Sequence, residues 1–197
     1  MAWIEPIALR GQHASLVPLE ITHREALEKA ARDGELWRLW YTSVPKPEGM
    51  AKEIERRLRL QTEGTMLPWT VIEAGPGTVV GMTTYMNIDR DNRRVEIGST
   101  WYARQAQRTP LNTECKLMLL GHAFETLDCI AIEFRTSFFN QQSRKAIERL
   151  GAKLDGILRN HSRHADGTLR DTCVYSIISS EWPAIRSHLT HQLEKPR

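Results

Sequence analysis

Two short segments of the chain combine residue types that could do chemistry. The first, Gln107-Arg108-Thr109-Pro110-Leu111-Asn112-Thr113-Glu114, joins a strand-like run to a long apolar stretch. Thr109 followed by Pro110 reads as a helix N-cap and then a first helical residue, where proline is favoured. The N–H groups of a first helical turn lack carbonyl partners within the helix, and together with the helix dipole they attract phosphate oxygens. Arg104, Arg108 and Lys116 are close enough in sequence to add positive charge. The same residues also fit an ordinary capped helix with solvated basic side chains, because capped helices are common.

The second segment is Phe139-Asn140-Gln141-Gln142-Ser143-Arg144-Lys145-Ala146-Ile147-Glu148-Arg149-Leu150-Gly151-Ala152. Asn140 is a natural N-cap, and Ser143, Ala146, Ile147 and Leu150 fall on one helical face. A serine heading an apolar stripe can face a ligand or simply hydrogen-bond locally. Upstream, Glu96 sits between Val95 and Ile97. Strand alternation places Glu96, Gly98 and Thr100 on one face, where burial would raise the basicity of the carboxylate. The alternative is a cross-strand ion pair with a neighbouring arginine. His161 and His164 form an H-x-x-H near Asp166, but further well-placed ligands are lacking and no metal is expected there.

These residues need a scaffold, and the patterning supplies one. Ala14–Leu19 reads as a strand. Thr22 and Glu25 form a T-x-x-E capping box for a helix running to Asp33 and stopped by Gly34. Trp37, Trp40 and Tyr41 follow, and Glu48–Glu63 reads as a second helix. Pro68–Ala74, Thr78–Met86 and Arg94–Trp101, separated by turn residues, read as a β-meander. Leu111–Leu127 is an apolar helix and Ile130–Thr136 a strand, so Arg94–Thr136 implies a β-α-β step. Asn140–Leu150 is a helix. Gly156–Ser162 and Thr168–Ser179 are strands joined at Asp166-Gly167, a hairpin signal, and Glu181–Leu193 is a terminal helix. The expected fold is α+β: a mixed, mostly antiparallel central sheet with one parallel step, flanked by helices, in a single domain over 1–197.

Composition narrows the function classes. The 197 residues suit one domain, and such a chain buries enough surface to need neither disulfide nor metal. A formal net charge of +3 is too small to point to nucleic acid. The basic clusters Arg56, Arg57, Arg59 and Arg144, Lys145, Arg149 alternate with Glu53, Glu55 and Glu148, as on a solvated helix face. Cys115, Cys129 and Cys173 sit among apolar residues and read as reduced core thiols. No apolar run is long enough to span a membrane and no signal core is present, so a cytoplasmic enzyme is the simplest fit.

Taken together, N-T-E at the start of the long helix, H-A-F-E near its end, and N-x-x-S-x-x-x-I-x-x-L-G-A resemble the GNAT acetyltransferase superfamily and, within it, the RimJ/RimL-like branch. The likeness is specific over Glu96–Gly156 and looser elsewhere. It implies acetyl-CoA as the donor. Gln107, Arg108, Thr109, Leu111, Asn112 and Thr113 would bind its pyrophosphate through backbone N–H groups. Ser99, Thr100, Trp101 and Tyr102 would bond the pantetheine arm as an added strand. Asn140 would contact the arm or order its surroundings, and Ser143 would donate a hydrogen bond to the leaving thiolate. Arg108 and Pro110 depart from the family loop, which carries small residues there, and Ile147 stands where many relatives have a tyrosine.

The reaction so implied is attack of a neutral amine on a thioester, with Glu96 as the candidate general base acting through water. The resemblance also implies an acceptor wall at Trp37, Trp40 and Tyr41. The acceptor stays open between a protein N-terminal α-amine and a small amine, and a non-catalytic CoA-binding module is the competing class. Related proteins are often homodimers, so that assembly is also open by analogy.

Overall fold

In the computed structural model, residues 3–164 and 166–195 are described. The elements in chain order are β1 (Leu9–Arg10), β2 (Ala14–Pro18), α1 (Arg24–Arg32), α2 (Met50–Thr62), β3 (Met66–Glu73), β4 (Val79–Asp89), β5 (Arg94–Tyr102), α3 (Leu111–Gly121), β6 (Ala131–Ser137), α4 (Gln141–Arg149), β7 (Lys153–Arg163), β8 (Leu169–Ile178) and α5 (Trp182–Glu194). The strands form one eight-stranded sheet in the order β1-β2-β3-β4-β5-β6-β8-β7. The expected meander is β3–β4–β5, and β5–β6 is the parallel step, spanned by α3. The other neighbours are antiparallel.

The helices divide between the two faces. Thr83 and Thr84 are consecutive in β4, so their side chains point to opposite faces. Arg57 of α2 donates to the Thr84 hydroxyl, which puts α2 on one face. Lys116 of α3 donates to Thr83, and the Tyr85 hydroxyl donates to the Leu119 carbonyl, which puts α3 on the other. Helix α4 joins α3 on that face through Arg144 and the Tyr175 hydroxyl. Helix α5 packs on the turn after α3, where Trp182 stacks on Phe124 and donates to Glu125.

Glu114, buried in the first turn of α3, accepts three backbone N–H groups from Gln12, His13 and Ala14 at 2.7–2.8 Å. This carboxylate ties the start of α3 to the β1–β2 turn. A Cβ on Gly11 would lie 2.3 Å from it, so a glycine is needed for the approach.

Several expectations change in detail. The T-x-x-E box does not form: a tight turn over Ile21–His23 precedes α1, Thr22 donates to Glu20, and the Glu20 N–H donates to His23. The helix expected over Leu111–Leu127 is α-helical only to Gly121 and then widens into a π-turn, His122–Thr126. Tyr85 takes the Leu119 carbonyl, and a side chain inserted into the helical ladder loosens it at that point. Arg57, expected on a solvated face, is 2% exposed. The three cysteines are buried and free, as expected.

Candidate active site

The site starts from a divergence of strands. β5 and β6 pair only at Arg94–Ala131, Val95–Ile132 and Glu96–Glu133, although both continue for several residues. Beyond Glu96 the β6-side edge of β5 has no strand partner among the described residues. Such an edge is a row of unpaired backbone donors and acceptors that an extended amide-bearing molecule can complete. The N-terminus of α3 follows the end of β5, and that of α4 follows the end of β6. Two helix starts therefore stand at the open end of the wedge.

A bulge shapes its inner edge. Met82 pairs with Trp101 but Thr84 with Gly98, so β5 carries one extra residue there. Ser99 takes it up in a left-handed conformation, φ 47°. The bulge corrects the expectation that Glu96, Gly98 and Thr100 share a face. Gly98 stays with Glu96: a Cβ there would lie 2.8 Å from Glu96 Oε1. Thr100 is turned to the opposite face, its hydroxyl 2.8 Å from that of Thr83. The buried indole N–H of Trp101 has no protein partner among the described residues.

Glu96 is 5% exposed, on the face that carries α2. Burial raises its pKa above the ordinary carboxylate value, while the Asn87 hydrogen bond and the Arg135 charge act against that rise. Asn87 Nδ2 donates to Glu96 Oε2 at 2.6 Å, and Arg135 Nε lies 3.7 Å away. The carboxylate lines a polar cavity of about 250 Å³ with Asn87, Asp89, Arg94, Val95, Glu133 and Arg135. Glu133 is paired with Arg135 at 2.5 Å and Arg94 at 3.5 Å. Glu96 is thus a buried carboxylate with raised basicity in a cavity, which geometry allows to take a proton.

The residues expected to bind a pyrophosphate lie at the start of α3, with differences from expectation. The N-cap of α3 is Pro110 rather than the expected Thr109; the Thr109 hydroxyl, one residue earlier, accepts from Leu111 N–H at 3.3 Å and donates to the Ala106 carbonyl. That bond uses one of the amides expected to be available. Pro110 has helical angles, φ −59° and ψ −23°, and its carbonyl accepts from Glu114 N–H. The Asn112 and Thr113 amides belong to the first turn, where N–H groups lack an intrahelical partner. Arg108 adopts φ 62°, the left-handed region that suits glycine. Its backbone therefore takes a glycine-like bend without a glycine. Gln107 donates to the Tyr102 carbonyl and ties the loop to β5. The residues thus fit a pyrophosphate group, with fewer free amides than the sequence promised. Lys116 does not contribute there: it is buried and bonded to threonines of the sheet.

At the second helix start, Asn140 Oδ1 accepts from Ser143 N–H at 3.0 Å, the expected cap. Ser143 is half-buried in the first turn of α4. Trp40 comes to the same place from the α1–α2 connection, its ring 5.3 Å from Phe139, beside Asn140. It also meets Tyr41 and His164, the latter from the end of the β7–β8 hairpin. Trp37 goes elsewhere, under Arg38 and Lys46. His161 lies beside Thr172 rather than with His164. Sequence reasoning missed Asn87, Glu133 and Arg135, which share no motif with Glu96 and are joined to it only by strand register.

Comparison with known proteins supplies an independent line. A model of the acetyltransferase (GNAT) domain family matches residues 14–153. A Bacillus subtilis (strain 168) protein named as a candidate ribosomal N-acetyltransferase, YdaF, is 32% identical over 114 residues, spanning 56% of this chain and only 61% of that relative's length. The crystal structure of a GCN5-related N-acetyltransferase from Brucella melitensis superposes with a TM-score of 0.86 at 27% identity, covering 96% of this chain and 86% of that one. Mycobacterium smegmatis RimJ in complex with CoA-disulfide superposes with a TM-score of 0.79 at 20% identity, covering 95% and 93% of the two chains, a likeness of fold.

Proposed function

The chain belongs to the GNAT acetyltransferase family, and from that premise we propose that it transfers the acetyl group of acetyl-CoA to the α-amine of a protein N-terminus. The observation that carries this reading is the wedge between β5 and β6. It opens one residue after a buried carboxylate and ends between two helix N-termini. One sheet running from β1 to β8 supports reading the chain as one domain.

Each residue then has a task. The amides of Asn112 and Thr113, with Arg108 beside them, hold the pyrophosphate. The β6-side edge of Ser99–Tyr102 takes the pantetheine arm as an added strand. The donor supplies a thioester carbonyl open to attack. Glu96 accepts the proton of the attacking amine through water, and Ser143 donates a hydrogen bond to the departing sulfur. An α-amine, with a reference pKa of about 8, needs less help from one modestly basic carboxylate than a lysine near 10 does. Exposed Trp40 and Phe139 flank the wedge with an apolar wall suited to a peptide. The name of the Bacillus subtilis relative points to ribosomal protein as its own acceptor.

A small cationic amine is the second reading, favoured by the Glu96–Glu133 cavity of about 250 Å³. Release of free CoA thiol from acetyl-CoA separates the two. Turnover with peptides bearing free N-termini, and none with N-blocked peptides or small amines, is the expected result. Turnover with small amines alone would reverse the assignment of acceptor.

A further inference from the structure

The bulge of β5 is gripped from both faces by buried cations. On one face Arg57, 2% exposed, donates to Thr84 Oγ1 at 2.5 Å and to the Ser99 carbonyl at 3.2 Å, with Glu53 as counter-charge at 2.7 Å. On the other, Lys116 is 7% exposed and donates to Thr100 Oγ1 at 3.0 Å and Thr83 Oγ1 at 3.4 Å. Thr100 Oγ1 in turn donates to the Gly98 carbonyl at 3.3 Å. The ammonium is therefore linked by one hydroxyl to the backbone of the bulge.

The two cations differ in one respect. Arg57 has a carboxylate, whereas Lys116 lies within 4.0 Å of none among the described residues. Its titratable neighbour is Cys115 on its own helix, whose thiol is pushed up to about 12 by burial and stays neutral. Glu114 of the same turn is turned away to the Gln12–Ala14 amides. Burial pulls Lys116 down to about 8. A lone buried cation is costly, and an apolar side chain of similar length would fill the space at less cost. Packing alone gives no reason for a lysine here.

We propose that Lys116 is a positioning residue of acetyl transfer: with Arg57 it fixes the β5 bulge, and its ammonium sets positive charge behind the strand edge on which the thioester rests, favouring the departing thiolate. In the transfer an N–C bond forms and the C–S bond breaks. The electron pair of that bond goes to sulfur, and the proton of the amine goes to Glu96. A fixed cation close to sulfur stabilises the charge that develops there without reorganisation at the moment of reaction. The inference rests on the donor site proposed above.

The test needs neither an acceptor nor turnover. CoA bound to the protein is titrated by the ultraviolet absorbance of its thiolate, with CoA affinity measured alongside by calorimetry. The thiol of CoA bound to the wild type is expected to titrate about one unit or more below that of free CoA. Lys116→Met should return it toward the free value with little loss of affinity, and Lys116→Arg should keep it low. Thr83→Val, which removes one partner of the ammonium and keeps the side-chain shape, should give an intermediate value, and it reads the same effect if Lys116→Met fails to fold. Normal CoA binding with the same thiol titration in wild type and variants would overturn the inference alone. Failure of the wild type to bind CoA would instead overturn the donor reading and this inference with it.

Discussion

The side-chain amide of Asn87 donates to Glu96 Oε2 at 2.6 Å, and it does so from a left-handed backbone, φ 48°. Burial raises the pKa of Glu96, and this hydrogen bond is the largest influence opposing the rise. Removing the amide while keeping a residue at ease with positive φ isolates its effect. In Asn87→Gly the pKa of Glu96 should climb further. Glu96 acts as a base only when ionised, so the acid limb of the pH–rate profile should move to higher pH. An unmoved limb would show that Glu96 is not the group titrating.

Glu96→Gln should separate activity from stability. A carboxylate whose folded pKa is raised binds its proton more tightly in the folded state than in the unfolded one. Its contribution to stability is full below the ordinary carboxylate range and is lost as pH rises through the raised value. The neutral amide escapes that loss. We expect turnover to fall by about 10²–10⁴-fold, as for loss of a general base. The melting temperature at pH 7 should be higher than that of the wild type, and the difference should shrink at low pH.

Gly98 leaves room for the same carboxylate. A Cβ there would meet Glu96 Oε1 at 2.8 Å and Met86 Sδ at 2.7 Å. Gly98→Ala should therefore displace Glu96 and lower kcat while acetyl-CoA still binds. Steady-state kinetics beside calorimetry would check this, and an unchanged kcat would argue that the carboxylate position is not critical.

Glu114 anchors rather than reacts. Its carboxylate collects three backbone N–H groups from residues 100 to 102 positions earlier in the sequence. Glu114→Ala leaves those amides, two of them only part-buried, without their acceptor, at an expected cost of about 3 kcal/mol. Urea denaturation would show it as a lower midpoint. A midpoint like that of the wild type would mean that water replaces the carboxylate at no cost.

Arg108 holds φ 62°. A Cβ in the left-handed region costs about 1 kcal/mol, and only glycine escapes the cost. Arg108→Gly should thus be more stable than Arg108→Ala by about that amount. Equal stability of the two would mean that the loop relaxes out of this bend once the arginine is gone.

Periodicity and turn chemistry are local, and what they encode was legible. The β3–β4–β5 meander, the parallel step across α3 and the Asn140 cap of α4 all follow from residues close together in the chain. The family motifs are local in the same way. The T-x-x-E box failed because Glu20, ahead of the pattern, and His23, at one of its unspecified positions, satisfy the same helix end. The long helix ends where expected, but its last turn is a π-turn that periodicity could not show, because the residue that loosens it, Tyr85, lies on β4.

The sequence by itself determined the kind of fold, the two helix starts and a carboxylate between apolar neighbours, since each depends on residues within a few turns of one another. The partners of that carboxylate were decided only in three dimensions. Asn87 and Arg135 reach Glu96 because β4 and β6 flank β5 in a register set by the whole sheet. The faces were decided there too. One extra residue at Ser99 turned Thr100 away from Glu96 and toward Lys116, and strand alternation read from sequence has no means of seeing where a bulge will fall, because its position depends on the partner strand.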